Sequence, residues 1–369
     1  MQITELTYRG GIKTMADGNI VHVVGTGTIG EPLIGLLCDA KEDLEIDEIT
    51  FYKHSPVLTD RPKIKGLINR GANLAVSEDK IKDFKELGIE PMYDAEEAIR
   101  RASVVIDCTP KGTGLMNKEK YYKKYKNKVK GFLSQGSEFG FGKMYAVGIN
   151  DEAITPKDQF IHIVSCNTHN MAAIIKTLAI EKKKNHMKEG RFVCIRRAND
   201  ISQDKSFIPS PEVGKHKDEK MGTHHAVDVY HLYKTLGIEL NVFSSALKVN
   251  TQYMHCIWYD VKLDKKITKD EVAQRFIDNP LVAVTHKTSA NLVFSFGRDH
   301  GHYGRILDQT VVVLPTIHVV NENEVIGFCF TPQDGNSILS SISAAERLIY
   351  PDSYEEKLKC LGAFLLQEV

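Results

Sequence analysis

The sequence predicts an α/β protein with two parts. The first is an N-terminal Rossmann-type, doubly wound domain, and the second is an α+β catalytic domain with a mostly antiparallel sheet. Three observations carry this. Between residues 20 and 165, short β-branched runs alternate with helical patterns, as in a parallel sheet wound by crossover helices. The first run ends in Gly25-Thr26-Gly27-Thr28-Ile29-Gly30 and leads into an apolar helix, the strand–glycine loop–helix order of a dinucleotide site. After Cys166 the strand-like runs have few crossovers between them, which favours antiparallel pairing.

Residues 1–19 show no clear periodicity and are assigned to an N-terminal arm. Residues 20–24 (IVHVV) form a buried strand, and Pro32 opens a helix through Leu33, Leu36 and Leu37. Residues 48–52 give the second strand. Residues 79–87 give a helix stopped by Gly88. Residues 104–107 give another buried strand, closed by Pro110 and Gly112. A basic helical stretch over 118–130 leads into Phe132-Leu133. In the second half, 192–195, 242–247, 257–263 and 310–314 are strands. A final helix over 337–349 packs back on the first unit. The domains are therefore 20–165 together with the C-terminal segment 337–369, and 166–336.

Lys plus Arg and Asp plus Glu are both 48, so the formal net charge is zero. That argues against bulk binding to nucleic acid or an anionic membrane. No apolar run reaches the roughly 20 residues needed to span a bilayer, and the N-terminus lacks a signal-peptide core. The seven cysteines are scattered, odd in number and without a CxxC spacing. They read as reduced thiols of a cytoplasmic protein with no metal site.

The strongest chemical signal is Ile163-Val164-Ser165-Cys166-Asn167-Thr168, running into Met171-Ala172-Ala173-Ile174-Ile175. It puts Cys166 at a helix N-terminus, where unpaired N–H groups and the helix dipole favour a thiolate. A thiolate there is a nucleophile for carbonyl carbon; the alternative is a buried small hydrophobe. In the glycine loop, Gly25 permits the turn, Gly27 the approach of a pyrophosphate and Gly30 helix–strand packing, with the pyrophosphate on the helix N-terminus. His224 and His225 open another helix, with Thr223 as N-cap, and form a candidate phosphate seat. Arg196 and Arg197 end a strand before the polar Asn199-Asp200 turn; either a phosphate contact or a surface ion pair suits them.

IVSCNTHNMAAIIKTL, IRRAND, THHAVDVYHL and QYMHCIWYDVKL occur in that order. From about residue 20 to the C-terminus, the chain resembles the archaeal class of glyceraldehyde-3-phosphate dehydrogenases. The resemblance implies a homotetramer that oxidises and phosphorylates an aldehyde with NAD or NADP, in a glycolytic or gluconeogenic direction. Cys166 would then attack glyceraldehyde 3-phosphate, and His255 would take the hydroxyl proton as general base. Inorganic phosphate would release the acyl group. Ser165, Asn167 and Thr168 would line the substrate pocket with His224, His225 and Arg196. Thr28, Ile29, Gly136, Arg197 and Gln333 match positions that contact the cofactor. Three features depart from the family: His169, the longer 207–223 segment and the N-terminal arm.

Cofactor choice can be read at the end of the second strand. NAD-selective sites usually carry an acid there for the ribose 2′-hydroxyl. Here Lys53-His54-Ser55-Pro56 follows the strand, while Glu45, Asp47 and Glu48 precede or begin it. Lys53 thus favours the 2′-phosphate of NADP, with no acid nearby to repel it. Two other functions remain open at this level. One is an NADPH-dependent reductase of an acyl-CoA or acyl phosphate on the same fold. The other is a non-enzymatic nucleotide sensor, since fold alone does not fix function.

Overall fold

Continuous β-branched runs form strands that are buried on both faces. That is how the first sheet is built in the computed structural model, which describes residues 18–200, 203, 207–332 and 334–369. Its strands are β1 (Ile20–Val24), β2 (Glu48–Tyr52), β3 (Asn73–Val76), β4 (Tyr93–Asp94), β5 (Val104–Asp107), β6 (Gly131–Gln135), β7 (Lys143–Tyr145) and β8 (Phe160–Ile163). They lie in the order β4-β3-β2-β1-β5-β6-β8-β7, and every pair is parallel. All residues of β1 and β5 are buried. The order reverses at β1, so a switch point opens beyond the C-terminal ends of β1 and β5, where open α/β sheets bind ligands.

Helices α1 (Gly30–Asp39), α2 (Arg61–Asn69), α3 (Ile81–Glu86), α4 (Ala95–Arg101), α5 (Thr113–Asn117) and α6 (Lys123–Tyr125) connect these strands. The basic stretch predicted as one helix over 118–130 is shorter and irregular. A π-turn over Lys118–Tyr122 joins α5 to α6, and the helix ends at Tyr125. Tyr122 is buried and donates its hydroxyl to Asp107, so its ring anchors the turn, while Lys120, Lys123 and Lys124 stay exposed.

The second half begins with α7 (Cys166–Ala179), followed by a ribbon of β9 (Ile180–Glu181) and β10 (Lys184–Asn185). Its sheet contains β11 (Met187–Arg196), β12 (Glu212–Val213), β13 (Val242–Lys248), β14 (His255–Leu263), β15 (Val282–Thr285), β16 (Thr310–Val313), β17 (His318–Val320) and β18 (Glu324–Thr331). The order is β12-β13-β11-β14-β18-β16-β15, with β17 on β18. The pairs β11–β13 and β15–β16 are parallel and the rest antiparallel. The sheet is therefore mixed but mostly antiparallel. Along β14, buried and more exposed residues alternate, so one face is packed and the other open.

The packed face lies against α7, alongside α8 (His224–Lys234) and α9 (Lys269–Ile277). After α10 (Ala290–His300), the long helix α11 (Gly335–Ile349) returns to the first sheet. There Ile338, Leu339, Ile342 and Leu348 share a core with Val104, Ile106 and Leu133. The short α12 (Tyr354–Lys357) follows. No helix among the described residues is long and apolar enough to cross a membrane. Most of the N-terminal arm, residues 1–17, lies outside the described residues.

Candidate active site

A cleft of about 500 Å³ opens at the switch point. Its floor is Gly25, Thr26, Gly27, Thr28 and Ile29, with Cys108, Thr109 and Pro110 from the end of β5 beside them. Gly25 sits at φ +99°, and a Cβ there would lie 3.2 Å from the Cys108 carbonyl oxygen. At Gly30 a Cβ would lie 2.1 Å from the Gly25 carbonyl oxygen, so α1 can meet the loop only without one. A Cβ on Gly27 would meet nothing within 4 Å, which leaves that backbone open to a ligand. No side chain caps the start of α1, so its first N–H groups suit an anion. Bare backbone at a helix start and a cleft of this volume fit a dinucleotide.

The ribose end of that cleft differs from the sequence-based picture. Lys53 lines it with Tyr52, His54 and Ser55, but so do Asp60 and Lys63. Asp60 accepts a hydrogen bond from Lys53 Nζ at 2.5 Å and pairs with Lys63 Nζ at 3.3 Å. An acid is therefore present after all, supplied by the turn before α2 rather than by β2. These two ammonium groups hold its pKa down against the opposing effect of burial. Lys63 Nζ also lies 4.0 Å from Glu31 Oε2, so two ammonium groups stand against two carboxylates there.

Cys166 is the first residue of α7, with Ser165 as N-cap. Ser165 Oγ accepts from Thr168 N–H at 3.4 Å and pairs with Thr168 Oγ1 at 2.9 Å. The Thr168 hydroxyl is thereby turned onto the cap. The thiol itself departs from the prediction. Burial, with Asp334 adding to it, pushes its pKa up to about 12, and Arg197 and Arg196 only partly offset this. In this state the helix N-terminus does not outweigh desolvation, so the resting group is a thiol. His169 turns into the interior, with Nδ1 3.0 Å from the Ser165 carbonyl oxygen and Nε2 2.8 Å from Ser340 Oγ. It ties α7 to α11, and burial brings its pKa down to about 4.

His255 begins β14 and is buried. The Arg197 N–H donates to its Nδ1 at 3.0 Å, so the neutral ring carries its proton on Nε2. Burial and the Arg197 and Arg196 charges hold its pKa well below the usual value. This bears on the sequence-based role: a ring with Nδ1 engaged and Nε2 protonated is set to donate, not to accept. Arg197 is no surface arginine. Its guanidinium is buried between Asp200 at 3.0 Å and Asp334 at 3.5 Å. Asp200 also lines the cleft, so this ion-pair chain links the cleft to the thiol's surroundings.

Thr223 stands at the N-cap of α8, but its hydroxyl does not cap the helix. It pairs with Ser244 Oγ at 2.6 Å, and Ser244 Oγ accepts the Ala226 N–H at 3.1 Å instead. His225 is buried, and both its ring nitrogens lack a partner among the described residues. Burial lowers its pKa well below the usual value, with His224 and Arg196 adding to the effect. His224 is exposed, yet partial burial and the Arg196, Lys111 and Lys217 charges lower its pKa to about 4. One turn on, burial raises the buried Asp228 to about 7. Gly136 follows β6 at φ +84°, and its carbonyl contacts His162 Nε2 at 2.6 Å. It does not line the cleft, and Gln333 lies outside the described residues.

Several residues of the site were not singled out from the sequence. Asp60 and Lys63 sit in a turn and a polar helix start, where charged residues are ordinary. Asp334 has φ +62° just before α11. Asn336 donates to the Cys166 carbonyl at 3.0 Å and to that of Gln309 at 3.1 Å. Nothing local in the sequence announces such long-range contacts. Cys108-Thr109-Pro110 directly follows a buried strand of the parallel sheet, and that position was a usable signal.

No family model matches the chain. Among curated proteins, it is 30% identical over 273 residues to glyceraldehyde-3-phosphate dehydrogenase of Methanopyrus kandleri, covering 71% of each chain. The protein of that name from Methanobacterium formicicum is 30% identical over 270 residues, covering 71% of this chain and 72% of the relative. A third, from Sulfurisphaera tokodaii, is 25% identical over 356 residues, covering 92% and 94%.

Proposed function

The chain belongs to the glyceraldehyde-3-phosphate dehydrogenase family, and from that premise we propose that it oxidises glyceraldehyde 3-phosphate. The acceptor is NADP or NAD, inorganic phosphate takes up the acyl group as 1,3-bisphosphoglycerate, and the reaction also runs in reverse. The observation that carries this reading is Cys166 at the first position of α7, among Arg197, Arg196 and Asp334. Gly25, Gly27, Thr28, Ile29 and Gly30 would hold the dinucleotide at the start of α1. When bound, the nicotinamide supplies a two-electron acceptor for hydride.

Cys166 Sγ bonds to the aldehyde carbon, and its proton leaves to solvent. Charge gathers on the carbonyl oxygen, and His255 holds it by donating from Nε2, its Nδ1 being engaged by Arg197. Once the carbon is oxidised, Cys166 carries a thioester. A phosphate oxygen then attacks the acyl carbon, the C–S bond breaks, and the sulfur recovers a proton. His225, His224 and Arg196 would seat the phosphate groups at the start of α8. The buried, unpartnered His225 ring supports that assignment.

Lys53 and Lys63, whose ammonium groups line the cleft together, support acceptance of NADP at least as readily as NAD. The open face of the second sheet, which includes Cys256, Trp258 and the exposed Phe328, supports assembly into a homotetramer. An absorbance assay of NAD(P)H formation from glyceraldehyde 3-phosphate, with and without inorganic phosphate, tests the reading. Sustained turnover only with phosphate is expected. Turnover of malonyl-CoA or aspartyl phosphate with NADPH, but none of glyceraldehyde 3-phosphate, would replace it with a semialdehyde-forming reductase.

A further inference from the structure

Beneath the start of α7 runs a line of polar side chains that the mechanism above does not use. The Cys329 thiol donates to Asn170 Oδ1 at 3.1 Å. Asn170 Nδ2 donates to Thr331 Oγ1 at 2.9 Å. Thr331 Oγ1 donates in turn to Asn167 Oδ1 at 3.0 Å. All four residues are buried. The chain has one direction, because each hydroxyl or amide that accepts at one end donates at the other. Its last link fixes the Asn167 amide with the oxygen inward. Among the described residues no protein group takes Asn167 Nδ2, so the amide nitrogen is the end available to a ligand oxygen. Thr331 has a second relation to the site. It lies directly opposite His255 in the β14–β18 ladder, and opposite residues share a sheet face. One threonine therefore stands beside His255 and is bonded to the residue after the nucleophile.

We propose that Thr331 is a positioning residue for the aldehyde-oxidation step, acting through Asn167. It holds the Asn167 amide so that Nδ2 donates to the carbonyl oxygen as Cys166 Sγ bonds to the carbon, alongside the His255 Nε2 donor. No proton is transferred in this role; the two hydrogen bonds strengthen as charge builds on the oxygen. A valine at 331 keeps the shape but loses both the donor that orients Asn167 and the acceptor for Asn170. The Asn167 amide is then free to turn its oxygen outward, which would repel the developing charge. Serine keeps the hydroxyl. The inference rests on the functional reading above, which the wild-type control checks separately.

The test measures kcat and KM for glyceraldehyde 3-phosphate in Thr331→Val, Thr331→Ser, Asn167→Ala and Thr331→Val/Asn167→Ala, with the thermal midpoint of each. Thr331→Ala stands in if the valine variant does not fold. The expected result is a kcat about ten- to a hundredfold lower in Thr331→Val with KM little changed, the range for a displaced transition-state donor. Serine should restore most of it, and the double variant should be no slower than Asn167→Ala alone. A kcat within about twofold of wild type, an unrescued serine variant or additive losses in the double variant would overturn the role of Thr331. A wild-type protein that does not oxidise glyceraldehyde 3-phosphate would instead overturn the functional reading, and this inference with it.

Discussion

Helices α1 and α7 both begin where a buried parallel strand of the first sheet ends, and each presents its first turn to a candidate ligand. They are built in opposite ways. The start of α1 has no side-chain cap, and its preceding loop is cleared by glycines at 25, 27 and 30. The start of α7 is capped by Ser165 and crowded with buried polar groups from distant parts of the chain. The first suits a diffuse anion that brings its own charge and wants bare N–H groups. The second suits a reaction in which charge appears only in passing. There, donors fixed in advance stabilise the transition state more than the ground state. The high pKa of the resting Cys166 thiol agrees with this: its surroundings do not favour a standing charge.

Removing the proposed nucleophile separates the two helix starts most sharply. Cys166→Ser should lower aldehyde oxidation at least about a thousandfold, ~4 kcal/mol of barrier, while dinucleotide affinity measured by fluorescence titration stays nearly the same. A loss below about tenfold would end the nucleophile assignment. The proposed phosphate seat on α8 comes next. His225→Ala should raise KM for glyceraldehyde 3-phosphate about ten- to a hundredfold, in line with a lost hydrogen bond to a charged group. An unphosphorylated aldehyde should be little affected, and an equal effect on both would argue for a structural role.

At α1, two neighbouring glycines should give different answers. Gly30→Ala forces a Cβ to 2.1 Å from a backbone oxygen, so calorimetry should find a loss of about 1–3 kcal/mol. Gly27→Ala meets nothing within 4 Å. It should melt near wild type yet bind the dinucleotide more weakly; normal binding would mean that no phosphate approaches there.

Acid distinguishes the helices in another way. His169 in the first turn of α7 has a folded pKa of about 4, below its unfolded value, so between about pH 6.5 and 4 the folded state binds fewer protons than the unfolded state. Its contribution to stability is intact above about pH 6.5 and is lost on acidification, by up to about 1.4 kcal/mol per pH unit until pH 4. Denaturant melts of wild type and His169→Asn across that range should differ in slope by close to one proton. Parallel slopes would show that His169 is protonated without cost. The smallest effect is at the ribose end, where Lys53→Asp should shift kcat/KM about tenfold towards NAD, ~1.4 kcal/mol. A wild-type preference for NAD of more than about a hundredfold would refute the Lys53 reading.

The same contrast explains what could be read from the sequence. The candidate site at α1 is local: strand, glycines and helix follow one another within about twenty residues, so the pattern itself points to it. The place of Cys166 at the start of α7, beside Ser165, was equally legible because the two are sequence neighbours. The partners of α7 were not. Thr331, Asn336 and Asp334 come from the far end of the chain, brought in by β18 and α11. Asp60 was missed at the ribose end because the acid comes from a turn and not from the strand end searched for it. The thiol's pKa was misjudged because a helix start raises or lowers charge only after burial is counted, and burial is a tertiary property. Short strands such as β3 and β15 were overlooked for want of a sustained alternation, although the parallel, doubly wound character of the first sheet followed from the elements that were seen.

The central claim is that Cys166 carries the acyl group through oxidation. The direct test mixes enzyme, glyceraldehyde 3-phosphate and NADP without inorganic phosphate, and follows absorbance together with the intact mass of the protein. The account predicts a burst of NADPH stoichiometric with subunits and an acyl adduct that peptide mapping assigns to Cys166. Adding phosphate should then discharge the adduct into steady turnover. No burst, a burst that survives Cys166→Ser, or an adduct on another residue would contradict it.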